Sequence, residues 1–113
     1  MLRITNEAVM LTRGDTADLE VNIYDINGSK YELQPGDVLV FTMKINCMSD
    51  VIFIQKDISS DSTIHLAPDD TNLLSYGDYV FDVQLTTAGG DVYTAIPPHA
   101  FIIEKEVTFH VEP

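Results

Sequence analysis

Tryptophan is absent from this chain, cysteine occurs once, and six lysines and arginines face eighteen aspartates and glutamates. Each shortage excludes something. Cys47 alone can form no intramolecular disulfide, and no paired-cysteine metal motif exists. Six scattered basic residues make no stripe, and a formal net charge of −12 repels nucleic acid phosphate and anionic membrane surfaces. No apolar run exceeds about five residues, far too few to span a bilayer as a helix. Met1 is followed by Leu-Arg-Ile-Thr-Asn-Glu, without the apolar core of a secretory signal, so cytosolic synthesis is the expectation.

What is present is a series of short apolar segments of period two. Apolar residues make up 45% of the 113-residue chain, enough for one domain over 1–113 with its own core. Ala17, Leu19, Val21 and Ile23 alternate with Asp18, Glu20, Asn22 and Tyr24, which predicts one half-buried strand over 17–24. The same period recurs at Leu39, Phe41, Met43 and Ile45, with Val38 and Val40 predicting a covered start to the opposite face. Val51-Ile52-Phe53-Ile54 is apolar on both faces. Such a strand is central or lies beneath a partner chain, and Val51 and Phe53 are its candidate interface residues.

The longest patterned stretch is Asp69 to Leu85. Pro68 to Ser75 reads as one helical turn, capped by Asp69 or Asp70 and turning Leu73 and Leu74 inward. From Gly77 the period becomes two, with Tyr79, Phe81, Val83 and Leu85 on one face and Val80, Asp82, Gln84 and Thr86 on the other. Leu74, Gly77 and Tyr79 have the spacing of a tyrosine corner, in which a buried ring sends its hydroxyl back to upstream backbone.

Turn chemistry divides the remainder. Asp25-Ile26-Asn27-Gly28-Ser29 predicts a hairpin with a primed Asn-Gly turn; a calcium loop would need a third acidic position and a closing glutamate, both missing. Arg13-Gly14-Asp15 spells an adhesive tripeptide but reads as an ordinary turn, as do Pro35-Gly36-Asp37 and Ala88-Gly89-Gly90-Asp91. Short strands are expected at 2–5, 8–12, 30–33, 63–66, 92–96, 100–104 and 106–111, with Asn6-Glu7 as a turn and Val107 and Phe109 inward. Pro97-Pro98-His99 is expected to interrupt the ladder. Eight or nine strands with one helical turn predict an all-β fold, an antiparallel immunoglobulin-like β-sandwich without the Cys-Trp-Cys framework of antibody domains.

No catalytic, metal or cofactor site can be assembled from the spacing. His65, His99 and His110 each lack a second histidine or cysteine two to four residues away. Ser49, Ser59 and Ser60 lack nucleophile-elbow glycines, and Gly89-Gly90 has no helix behind it to make a phosphate loop. Cys47 lies at a strand end with no helix N-terminus beside it, so an inert thiol is expected. Asp78 and Asp82 share a strand face but lie roughly 13 Å apart, too far to ligate one ion. Tyr24, Tyr31, Tyr76 and Tyr93 are candidate exposed rings, and Tyr24, Tyr31 and Tyr93 form the candidate platform for a carbohydrate or small ligand.

One line of motifs is more specific. Thr12-Arg13-Gly14-Asp15-Thr16, Pro35-Gly36-Asp37 with Phe41-Thr42-Met43-Lys44, and Pro68-x-Asp70-Thr71 through Gly77-x-Tyr79-x-Phe81-Asp82-Val83-Gln84-Leu85 resemble a small β-sandwich domain of phage and prophage tail and baseplate proteins of Gram-positive bacteria. The resemblance is to the N-terminal domain of the upper baseplate protein and continues through Gly90-x-x-Tyr93-Thr94, Phe101-x-Ile103 and Val107-Thr108. It implies a non-enzymatic virion protein that docks on other tail or baseplate proteins, assembling in homo-oligomers or beside a receptor-binding protein.

Overall fold

A computed structural model describes residues 3–5, 8–24 and 27–106. Among them lie ten strands and one helical turn: β1 (Arg3–Thr5), β2 (Ala8–Thr12), β3 (Ala17–Glu20), β4 (Ile23–Tyr24), β5 (Lys30–Tyr31), β6 (Val38–Lys44), β7 (Ile52–Asp57), β8 (Thr63–Leu66), α1 (Pro68–Thr71), β9 (Gly77–Thr86) and β10 (Val92–Glu104). Six of these strands form one sheet in the order β1-β2-β10-β9-β6-β7. Over it lie two small sheets, β3–β8 and β4–β5.

Alternation decides which face is buried. Leu39, Phe41 and Met43 of β6 and Tyr79, Phe81, Val83 and Leu85 of β9 turn to the same side, where Ala17, Leu19, Ile64 and Leu66 of the small β3–β8 sheet meet them in one core. Phe41, Phe81 and Phe101 come from adjacent strands and hold their centroids 5.8, 6.0 and 6.4 Å apart in tilted and edge-on pairs. Removing any of these rings opens a cavity at the centre of the domain.

All-β is therefore correct, with several changes of detail. The large sheet is mixed, because β2 runs parallel to β10, with Val9 beside Phe101 and Leu11 beside Ile103. These strands are not joined by a hairpin, so no tight turn forces them antiparallel. The strand expected over 17–24 breaks after Glu20, where the Val21 amide donates to the Ser62 carbonyl at 2.8 Å; β4 then pairs with β5 as a separate ribbon. In that ribbon Tyr24 pairs with Lys30, and Gly28 has positive φ. Asp25 and Ile26 lie outside the described residues, as do the Asn6-Glu7 turn, Val107, Phe109 and His110.

The prolines do not end β10. Its register against β9 slips between Thr94 and Ile96 and again between Ile96 and His99, so one strand passes Pro97-Pro98 through two bulges that need no ladder N–H there. β7 is an edge strand rather than a central one. Val38 is exposed, not covered. Leu73 is almost wholly exposed, and its expected inward place is taken by Thr71, whose Oγ1 accepts the Gly14 amide at 2.8 Å. Four helical residues cannot turn two successive leucines to one side; Leu74 alone packs on the core. Asp70 acts from the third helical position, its carboxylate accepting the Ala67 amide at 2.8 Å.

Candidate functional site

The end of β9 that carries Gly77 is tied down by two devices. Tyr79 is buried, and its hydroxyl donates to the Ser75 carbonyl at 2.8 Å, the geometry of a tyrosine corner. Gly77 makes the turn into the strand with φ +137°, a backbone region that side chains rarely adopt. Beside it, the Arg13 guanidinium donates to Glu106 at 2.6 and 2.9 Å and to the Leu74 carbonyl at 3.1 Å while lying 4.2 Å above the Tyr76 ring. Tyr76 is thus half-buried in a structural clamp, not an open ring. The bond to Glu106 raises the Arg13 pKa, and burial followed by the same carboxylate raises that of Tyr76.

At this same end the large sheet has an edge that no other described strand fills. Among the described residues β7 pairs only with β6, and the register slips so that Phe53 is the extra residue between the Met43–Ile54 and Lys44–Ile52 pairs. Ile54 goes into the core, Ile52 stays on the outer face, and Phe53 leans edge-on against Tyr79 at 5.2 Å. Val51 is 60% exposed and Phe53 40%. Ile45, Met48 and Ile52 are exposed with them, so five of the ten large exposed hydrophobics among the described residues fall within 45–53. An unpaired strand edge beside clustered apolar side chains is a surface on which another polypeptide can add.

The opposite end holds a cleft. Tyr24 from β4, Tyr31 from β5 and Tyr93 from β10 line one hollow of about 560 Å³, so the structure brings the three candidate platform rings together. Tyr31 is fixed by Asp37, whose Oδ2 accepts its hydroxyl at 2.5 Å and the Gln34 amide at 2.8 Å. Oδ1 of the same carboxylate accepts the Ala88 amide at 3.1 Å. These bonds hold the Asp37 pKa below its ordinary value and raise that of Tyr31. Asp37, buried and joining two loops, was not singled out by sequence; an aspartate closing a Pro-Gly turn was the one available signal.

The remaining polar groups do not converge. His65 lies between two carboxylates, Nδ1 at 2.8 Å from Asp18 and Nε2 at 2.6 Å from Asp61, on opposite sides of the ring. Its hydrogen bonds to Asp61 and then Asp18 raise its pKa. His99 stands on β10 with its ring 6.2 Å from Phe81. Cys47 is an exposed thiol beside the outer face of the sheet. There Asp82 has its pKa raised by burial, partly opposed by Lys44. Among the described residues no three histidine, cysteine, aspartate or glutamate side chains are grouped to hold a metal, and no helix is long and apolar enough to cross a membrane. No family model matches the chain, and no curated protein or solved structure matches it.

Proposed function

We propose that this protein is a non-catalytic structural module that docks on other protein chains, a second copy of itself among them, through the β7 edge. One observation carries the reading: the β7 edge, which no other described strand fills, and the connection leading into it carry the exposed apolar residues Ile45, Met48, Val51, Ile52 and Phe53. With a net charge of −12, two copies repel at most approaches. Within 45–53 Asp50 is the one charged residue, so this mostly apolar stretch is where they can meet. The two sheet layers around one core and the tyrosine corner support an immunoglobulin-like sandwich, with β2 parallel to β10 as its departure from a purely antiparallel one. The motif resemblance favours a phage or prophage tail or baseplate as its setting, where repeated copies and neighbouring proteins would offer the edges it pairs with. Hydrogen exchange tests this reading. The β7 amides become protected as protein concentration rises if the edge is filled, and unchanged exchange at every concentration contradicts self-docking.

A further inference from the structure

We propose that the cleft between Tyr24, Tyr31 and Tyr93 binds a small quaternary ammonium cation. Three rings from three different strands supply electron-rich faces, and Leu85 and Ile23 supply an aliphatic wall. Tyr24 and Tyr93 are 62% and 57% exposed, so their rings are accessible. Among the described residues the lining side chains carry no charge and no amide; Thr87 and Thr94 are its polar members besides the tyrosines. A sugar is held by paired hydrogen bonds from carboxylates, amides or guanidinium groups, and an anion needs a positive partner. Among the described residues the cleft provides neither. A primary ammonium, strongly hydrated, wants acceptors in exchange for its water, whereas a quaternary head has methyl groups and no N–H to satisfy.

Charge points the same way. The Asp37 carboxylate takes the proton side of the Tyr31 hydroxyl at 2.5 Å, which makes that ring richer in electrons and sets a negative charge behind the cleft. The chain as a whole carries −12, which concentrates cations near its surface and excludes anions. The site lies at the Thr86–Val92 end of β9 and β10, away from the Phe53 edge, so cation binding and docking are separable.

The test is an NMR titration of the labelled protein with choline, with its neutral isostere 3,3-dimethyl-1-butanol, with ethanolamine and with N-acetylglucosamine, at matched salt. Choline should give saturable shifts confined to residues around Tyr24, Tyr31 and Tyr93, and the isostere and ethanolamine should bind about tenfold more weakly. Tyr93→Leu should weaken choline by about tenfold and Tyr93→Phe by about twofold or less, both with unchanged thermal melting. Equal binding of choline and the isostere overturns the proposal, because the cleft is then merely apolar. Binding of the sugar in preference to choline overturns it too, as does the absence of saturable shifts.

Discussion

Phe53 meets Tyr79 edge-on, with ring centroids 5.2 Å apart. One ring belongs to the half-exposed edge strand and the other to the buried corner, so the proposed docking surface is braced against a buried ring tied to the Ser75 carbonyl. A flexible edge would lose side-chain and backbone entropy on binding another chain; a braced one loses less.

The corner itself is testable. Tyr79→Phe keeps the ring and its contact with Phe53 but leaves the Ser75 carbonyl without its donor. The expected loss is about 1–2 kcal/mol in chemical denaturation. An unchanged midpoint would show that the hydroxyl contributes nothing to the fold.

Gly36 is constrained in two ways at once. Its φ is +89°, as a turn with Pro35 before it requires, and an added Cβ would lie 2.9 Å from the Cβ of Ala88. Gly36→Ala should therefore cost about 1–3 kcal/mol, by pushing apart the two loops that Asp37 joins. Gly77→Ala is the control, because its added Cβ meets nothing within 4 Å and only the backbone term remains. Of the two, Gly36→Ala should be the more damaging in a thermal melt.

His65 gives a pH dependence of known sign. Its two carboxylate partners favour the imidazolium, so its pKa in the folded chain lies above the ordinary 6.5. The stabilisation is complete below that ordinary value and is lost as pH rises through the folded one. Ring and carboxylates are all exposed, so the effect is small and fades with added salt. Melting temperature should fall slightly from mildly acidic to mildly alkaline pH, and His65→Gln should flatten that slope. A slope that survives the substitution assigns it to other groups.

What could be read from the chain was local. Tyr79 and Gly77 stand two residues apart, and the β9 alternation runs unbroken through Leu85, so both were legible before any fold was known. The place of β7 was not. Its composition suited a centre or a covered edge equally, and strand order depends on pairing between distant segments. Asp37 was hidden for the same reason, because one of its partners, Ala88, lies 51 residues away. The three tyrosines could be named as candidates, but only the stacking of the β4–β5 ribbon beside β10 places them in one cleft. Leu73 shows the reverse failure: an apolar residue beside a helical turn looked inward, while the small Thr71 fitted the buried position and took the Gly14 amide.

The most direct test of the docking surface is sedimentation equilibrium of the chain beside its Val51→Lys variant, from dilute to high protein concentration. Val51 is exposed, so the lysine leaves the core intact, and matching thermal melts would establish that both proteins are folded. The β7 edge as an interface predicts that the unaltered chain associates reversibly and that Val51→Lys weakens this by about tenfold or more. A strict monomer at the highest concentration, or association that the lysine leaves untouched, would contradict it.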